Sequence, residues 1–241
     1  MLLVTPHCTL GDLVTAEPSL ARHLEARRLD YCCRGTRTLA QACSDRELDL
    51  DEVVAELASA AADADAADSA ESCRWASLDV VELVDHIEAT HHRYLWSEMP
   101  RLTALVERVR DVHGVRHPEL DDVEACVVEL RDDLEPHMVK EERVLFPMIR
   151  ELATAEERPE FHCGSVGNPI AVMRREHDHA GALLGRLRDL TDGFEAPRDA
   201  CASYQELYRA LTELEADLHL HVHKENNVLF PMVEGLEARL A

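Results

Sequence analysis

One phrase occurs twice in this 241-residue chain, and it restricts the fold more than any other feature. The first copy covers residues 137–148 (HMVKEERVLFPM) and the second covers residues 221–232 (HVHKENNVLFPM). The same distance, 221 − 137 = 84 residues, separates the two leading histidines and also Glu141 from Glu225. Because residues four apart lie on one face of a helix, each copy brings an imidazole and a carboxylate to a single point. Two such helices facing each other predict a site for two metal ions.

Apolar residues around both copies continue the helical stripes that face the interior of a bundle. The stripes run over residues 123–148 and 207–232 in the same register, and the histidine and glutamate of each copy fall on them. A buried carboxylate without a partner costs several kcal/mol, which a metal ion or a buried partner offsets. A buried histidine–glutamate hydrogen bond explains one copy equally well, but two copies in one register favour a metal site.

Two further helical patterns complete a four-helix bundle. The pattern over residues 170–187 places His177 on its apolar face. In the pattern over residues 80–109, the apolar stripe before the histidines leads to His91 and the stripe after them leads to His92, so periodicity leaves both open. Subtracting the repeat distance from His177 gives position 93 (177 − 84), which favours His92 as the nearest histidine. Short connections predict antiparallel helices. Local kinks or breaks are predicted at Pro100, Pro136, Pro147 and Pro231.

A small helical unit precedes the predicted bundle. Residues 59–75 are small and acidic with almost nothing to bury, so we interpret them as a linker. Before them, residues 1–58 are predicted to form a compact domain with helices at 10–29 and 36–57. Residues 76–241 form the bundle, and the predicted fold class is all-α.

Charge and hydropathy exclude several classes of function. The chain has 48 acidic and 25 basic residues and a formal net charge of −23. Nucleic acids and anionic membranes bind clustered lysine and arginine, so neither is an expected partner. The sequence contains no basic, apolar leader and no run of about 18 apolar residues, which predicts a cytoplasmic protein. The eight cysteines form no C-x-x-C pair, which argues against zinc-ribbon and thioredoxin motifs.

The predicted ligand types restrict which metal ions the site can bind. Imidazole and carboxylate together suit iron, manganese or zinc. Asp133 and Glu176 are candidates to accept hydrogen bonds from ligand histidines, whereas Glu142 is expected to face outward.

A ferritin-type, carboxylate-rich site is the main alternative. Such a site uses Glu-x-x-His on two helices, and residues 88–91 and 176–179 both have this spacing. Glu141 and Glu225 would then be the single acids on the other two helices. This arrangement would bury the histidines of the repeat without a metal. The spacing favours the histidine-rich site but leaves the alternative open.

Five motifs together resemble the Repair of Iron Centres family of di-iron proteins, which repair iron–sulfur clusters. The resemblance covers nearly the whole chain, and the motifs are residues 30–35 (DYCCRG), 85–92 (DHIEATHH), 137–148, 176–181 (EHDHAG) and 221–231.

The resemblance implies a hemerythrin-like four-helix bundle with two non-haem iron ions in an oxo- and carboxylate-bridged centre. It selects His92 over His91 and decides against the ferritin-type site. The implied function is repair of iron–sulfur clusters damaged by oxidative or nitrosative stress, with damaged iron–sulfur proteins as partners and nitric oxide or oxygen as small ligands. A sensor of these gases and a nitric oxide reductase remain alternatives, and a homodimer is left open. The implied ligands are His92, His137, His177 and His221, with Glu141 and Glu225 as bridges.

Cys32 and Cys33 carry the second implied site. The family pattern is Tyr-Cys-Cys-Gly-Gly, and Arg34 replaces its first glycine here. A helix beginning near Thr36, together with Arg34, is expected to lower the pKa of the thiols. Thiol redox chemistry, metal transfer and electron delivery remain open as roles, beside the simpler explanation of two buried cysteines without chemistry.

Overall fold

The computed structural model describes residues 2–66 and 74–240, which are helical and contain only isolated backbone bridges in place of a sheet. The predicted all-α class is confirmed. No helix in these residues has the length and apolar character needed to cross a membrane. The α-helices are α1 Leu10–Ala16, α2 Ala21–Ala26, α3 Leu39–Asp45, α4 Leu50–Ala66, α5 Val80–Ile87, α6 Arg93–His113, α7 Glu119–Lys140, α8 Phe146–Thr154, α9 Gly167–Leu190, α10 Ala202–His223 and α11 Phe230–Arg239.

The chain forms two compact units, which are described separately below. Unit 1 contains Met1–His86, Ile149–Glu160 and His219–Ala241, and unit 2 contains Ile87–Met148 and Phe161–Leu218. The histidine and glutamate of the first copy therefore lie in unit 2, and those of the second copy lie in unit 1.

Unit 2 is built on long helices that pack in antiparallel fashion. At one end of α6, Arg110 pairs with Glu124 near the start of α7, at 3.1 Å. Just before α6 begins, His92 contacts Glu142, which follows the end of α7. Opposite ends therefore meet, as the short connection predicts. The buried core between these helices, α9 and α10 includes Leu95, Met99, Leu102, Val106, Cys126, Val127, Leu130, Leu184, Leu187, Leu207, Leu211 and Leu214.

Unit 1 has its own hydrophobic core. Residues of α1 to α4 contribute most of it, and Val222 of α10 belongs to the same buried cluster. The side chain of Thr38 caps α3 in a reciprocal capping box with Gln41, which fixes the start of that helix.

The helices of unit 1 are shorter than predicted. The helix expected over residues 10–29 is broken at Glu17, whose backbone is extended before Pro18. The helix expected over residues 36–57 is broken where Asp49 accepts the backbone N–H groups of the first turn of α4. The last helix of this region, α4, continues to residue 66 into the predicted linker, and the linker residues 67–73 lie outside the described part of the chain.

Three π-helical segments interrupt the long helices, at Glu88–His92, Glu141–Leu145 and Lys224–Leu229. Pro147 and Pro231 follow two of these segments. Proline has no N–H and its ring clashes with the carbonyl four residues earlier, so the regular hydrogen bond is missing at both positions, and the wider π turn accommodates this loss. The predicted kinks at positions 147 and 231 thus take the form of π segments, whereas the α-helical pattern continues through positions 100 and 136.

Candidate metal centre

Unit 2 brings three histidines and one glutamate into a single buried group. His92 ends the first π segment and Glu141 begins the second, while His137 lies in α7 and His177 in α9. The Oε2 atom of Glu141 is 3.4 Å from His92 Nε2 and 3.2 Å from His137 Nε2. The Nε2 atoms of His137 and His177 are 3.2 Å apart. Glu141 is completely buried, and none of the three histidines is more than 3 % exposed.

Two outer carboxylates orient two of these histidines. The Nδ1 atom of His92 is 3.0 Å from Glu142 Oε1, and that of His137 is 2.8 Å from Glu176 Oε2. Since an ionised carboxylate only accepts hydrogen bonds, the ring hydrogen is assigned to Nδ1 in both cases. In the neutral rings, the lone pairs on Nε2 then point towards Glu141, as in histidines that bind metals.

The prediction that Glu176 accepts a histidine N–H therefore agrees with the structure. Hydrogen bonds from His137 and Lys140 lower the pKa of Glu176 to about 2. Asp133 has a different partner, because its Oδ2 atom lies 3.1 Å from the exposed His179.

The expectation that Glu142 faces outward is only partly met. Its side chain is 32 % exposed, yet its Oε1 atom contacts His92 and also accepts the indole N–H of Trp96 at 3.0 Å. A glutamate is long enough to leave the helix surface sideways and reach the neighbouring helix. Sequence reasoning missed both Glu142 and Trp96, and the spacing of Glu142 from His137 gave no signal for this role.

His91 and His92 are both buried because the π segment that carries them has a wider turn than an α-helix. His91 Nδ1 lies 2.8 Å from Asp217 Oδ1, while His92 faces Glu141. His179, which the ferritin-type alternative requires as a ligand, is 54 % exposed and contacts Asp133. The structure therefore does not assemble the ferritin-type ligand set.

Unit 1 contains the histidine and glutamate of the second copy. His221 Nε2 lies 3.2 Å from Glu225 Oε1, and both side chains are buried. His221 belongs to α10, whereas Glu225 lies in the third π segment. The pair repeats the contact between His137 and Glu141, where the distance is also 3.2 Å.

The loop with the two cysteines is bound to that same π segment within unit 1. The side-chain amide of Asn227 donates to the carbonyl oxygens of Tyr31 at 3.1 Å and Cys32 at 3.0 Å. The amide of Asn226 reaches the Cys32 carbonyl at 3.4 Å. A Cβ atom on Gly35 would lie 2.3 Å from Asn227 Oδ1, so the close approach requires glycine at this position. The loop is therefore anchored two residues beyond Glu225.

The expected lowering of the thiol pKa is wrong for Cys32. A hydrogen bond to Cys33, burial and the nearby Asp30 all raise the pKa of the Cys32 thiol well above its usual value. The helix that was expected to begin near Thr36 begins only at Leu39, and its first turn is capped by Thr38.

The donors in each unit fit a borderline transition-metal ion. All are imidazole nitrogens or carboxylate oxygens, and they lie on long helices that are packed into hydrophobic cores. Burying a carboxylate is costly unless positive charge accompanies it, and Glu141 and Glu225 are both 0 % exposed. Iron, manganese and zinc accept this donor set, whereas copper(I) and iron–sulfur clusters prefer thiolate.

Comparisons with known proteins agree with this site. The family profile described as the Hemerythrin HHE cation binding domain matches residues 83–233, which include all six predicted ligands. A second profile, described as a domain of unknown function (DUF542), matches residues 6–61. The fold and the buried donors thus define a hemerythrin-like cation-binding protein.

Similar proteins define the family more narrowly. The iron–sulfur cluster repair protein YtfE of Escherichia coli O1:K1 is 34% identical over 222 residues, which cover 92% of this chain and 94% of that protein. The protein of the same name from Escherichia fergusonii gives the same values, and that of Escherichia coli O81 is 33% identical. The chain therefore belongs to the Repair of Iron Centres family, as its motifs predict.

Proposed function

We propose that this protein repairs iron–sulfur clusters damaged by oxidative or nitrosative stress, and that a di-iron centre held by its bundle takes part in the repair. The observation that supports this most strongly is the buried Glu141, which two oriented histidine nitrogens face at 3.2 and 3.4 Å. The relatives with 33–34% identity carry the name iron–sulfur cluster repair protein.

The six ligand residues have distinct proposed roles. The four histidines would supply neutral nitrogen donors, and the two glutamates would supply carboxylate oxygens as the proposed bridges. Each glutamate follows a ligand histidine by one helical turn and therefore lies on the same helix face. When bound, two iron ions in an oxo-bridged pair supply a reversible ferrous–ferric couple and a store of exchangeable iron. The proposed ligands are His92, His137, His177, His221, Glu141 and Glu225.

The surrounding residues would control that site. Glu142 and Glu176 hold the rings of His92 and His137 in place by accepting their Nδ1 hydrogens, which increases the basicity of the Nε2 atoms. Phe146 stacks on the His92 ring, with centroids 5.5 Å apart, and excludes water from that side. These contacts hold the two rings in the orientation that a metal bound near Glu141 would need.

The partners of the protein follow from the same proposal. Its clients are damaged iron–sulfur proteins, and nitric oxide or oxygen are small ligands of the iron pair. We place the protein in the cytoplasm, where such clients are found. Cys32 and Cys33 are proposed to take part in redox or metal transfer, which their attachment to the segment that carries Glu225 supports.

Repair of a damaged dehydratase tests the proposal directly. Purified protein should contain two iron ions per chain and should restore activity to an anaerobic, cluster-damaged iron–sulfur dehydratase. The matched controls are the His221→Ala variant and free Fe²⁺ at the same total iron concentration. Activity that does not exceed the free-iron control would rule out repair by this protein. Activity from iron-free protein would show that the metal centre is not needed.

A further inference from the structure

Asp30, Cys32 and Cys33 form a second group of potential metal ligands, which lies entirely in unit 1. One oxygen of Asp30 and the two sulfur atoms lie within 4.8 Å of one another. The Sγ atom of Cys32 is 3.7 Å from Cys33 Sγ and 3.3 Å from Asp30 Oδ1. The group shares no residue with the histidine and glutamate ligands.

These separations are close to the distances between ligand atoms in a tetrahedral metal site. With metal–sulfur bonds of about 2.3 Å and a metal–oxygen bond of about 2.1 Å, tetrahedral angles place two sulfurs about 3.8 Å apart and a sulfur and an oxygen about 3.6 Å apart. The corresponding distances in the loop are 3.7 Å and 3.3 Å. Hydrogen bonds within the loop already hold the three atoms at these distances, so that binding of a metal ion requires little rearrangement.

The backbone that carries these ligands is held in place by other contacts. Asp30 Oδ1 accepts the backbone N–H of Cys33 at 2.9 Å, and Asn227 holds the carbonyl of Cys32 at 3.0 Å. Such a loop loses little conformational freedom when a ligand binds. Cys32 is buried and Cys33 is partly exposed, so an ion can enter from the side of Cys33.

The charge near the group suits a bound divalent ion. Two thiolates and one carboxylate with a divalent ion leave a net charge of −1. Asp30 and Arg34 line an open cavity of about 300 Å³, and three more arginines line the same cavity. Asp45 also lines the cavity and pairs with Arg37, but the four guanidinium groups outnumber the two carboxylates, although the chain as a whole is strongly acidic. The additional arginines are Arg28, Arg37 and Arg46.

We propose that Asp30, Cys32 and Cys33 bind one divalent thiophilic metal ion, and that this ion is Fe²⁺ in transit to or from a client cluster. The assignment of iron rests on the proposed repair function. Binding forms two metal–sulfur bonds and one metal–oxygen bond and releases the two thiol protons to solvent, with no transfer of electrons. Structural sites with four protein ligands are closed, whereas three ligands leave one position for a donor from the recipient.

Cobalt(II) is a suitable probe, because thiolate ligands give it an intense charge-transfer absorption. Full-length reduced protein with its histidine–glutamate centre loaded should develop this absorption under anaerobic conditions and saturate at one Co²⁺ per chain. The double variant Cys32→Ser, Cys33→Ser should lose the absorption. The control variant Cys163→Ser, Cys201→Ser removes the same number of thiols and should keep it. Asp30→Asn keeps an acceptor for the Cys33 N–H but removes the charge, and should weaken Co²⁺ binding about tenfold.

The outcomes separate this site from the proposed repair function. Absorption that persists in the Cys32, Cys33 variant, or that is missing from the parent protein, overturns the metal site. Because a given site usually binds Co²⁺ more tightly than Fe²⁺, Fe²⁺ should displace Co²⁺ and remove the absorption only when it is in large excess. Absorption that persists under a large excess of Fe²⁺ overturns the assignment of iron. Iron in the histidine–glutamate centre is measured in the same samples and should be equal in all variants. Repair activity missing from the parent protein, with the cobalt absorption intact, would count against the repair function alone.

Discussion

The two copies of the repeated phrase keep the same ligand pair but differ in the residues that follow it. After Glu141, the first copy has Glu142, which orients His92 inside unit 2. After Glu225, the second copy has Asn226 and Asn227, whose amides hold the cysteine loop inside unit 1. The histidine and glutamate that we assign to the metal are identical in both copies, as are the lysine before the glutamate and the V-L-F-P-M sequence that ends the motif. The two positions directly after the glutamate differ, and they serve the local surroundings of each copy.

The lysine before each glutamate is identical in the two copies, but its contacts differ. Lys140 is 44 % exposed and pairs with Glu176. Lys224 is buried, with its Nζ atom 2.9 Å from His86 Nε2 and 5.3 Å from the centre of the Trp75 ring. The same side chain thus supports an outer carboxylate in one copy and packs against an aromatic ring in the other.

Removal of the shared glutamate tests whether the copies are equivalent, and it has the largest expected effect. Glu141→Ala and Glu225→Ala should each lose about half or more of the iron and destabilise the protein by roughly 3–5 kcal/mol, because a buried cation loses its counter-charge. Metal analysis and chemical unfolding measure the two effects. Glu129→Ala, at an exposed position of α7, is the control and should change neither. Iron loss in only one of the two variants would show that the copies are not equivalent.

Substitutions at the position directly after the glutamate should affect iron binding differently in the two copies. Glu142→Ala removes the acceptor for His92 Nδ1 and should weaken iron binding about 10- to 100-fold. Asn226→Ala, at the same position of the second copy, should leave the affinity unchanged, because this amide contacts the Cys32 carbonyl. Competition with a chelator measures both affinities. Equal weakening by both substitutions would contradict the division of roles described above.

Substitution of Asn227, two positions after Glu225, has the smallest expected effect, and the property that it changes is the stability of the protein. Asn227→Ala leaves the carbonyls of Tyr31 and Cys32 without this donor and should cost about 1–3 kcal/mol of unfolding free energy. Arg143→Ala, at the equivalent exposed position of the first copy, should stay within about 0.5 kcal/mol. Urea unfolding measures both, and the rate of thiol labelling of Cys32 should rise only in the Asn227 variant. Iron content is expected to remain unchanged in both. A cost for Arg143→Ala as large as that for Asn227→Ala would refute the anchoring role.

The sequence was sufficient for the fold class and the family, because helical periodicity and a repeated motif are local signals. It was insufficient where a long side chain or a distant segment decides the contact. Periodicity gives the direction of a Cβ atom, but the carboxylate of Glu142 ends several bonds further on, against a neighbouring helix. The anchoring of the cysteine loop joins residues almost 200 positions apart, as in the contact of Asn227 with Tyr31. The raised pKa of the Cys32 thiol depends on burial that no local pattern reveals.

The π-helical segment at Glu88–His92 also explains why the apolar stripe before the histidines leads to His91, whereas the stripe after them leads to His92. Ile87 before the segment and Leu95 after it are both completely buried, although eight residues exceed two turns of an α-helix by almost one residue. In an uninterrupted α-helix, this surplus of about 0.8 residue would rotate one stripe by about 80° relative to the other. The wider turn accommodates it locally. The segment therefore behaves as a tolerated single-residue insertion, and deleting one residue within it would restore a regular helix while turning one stripe away from its core.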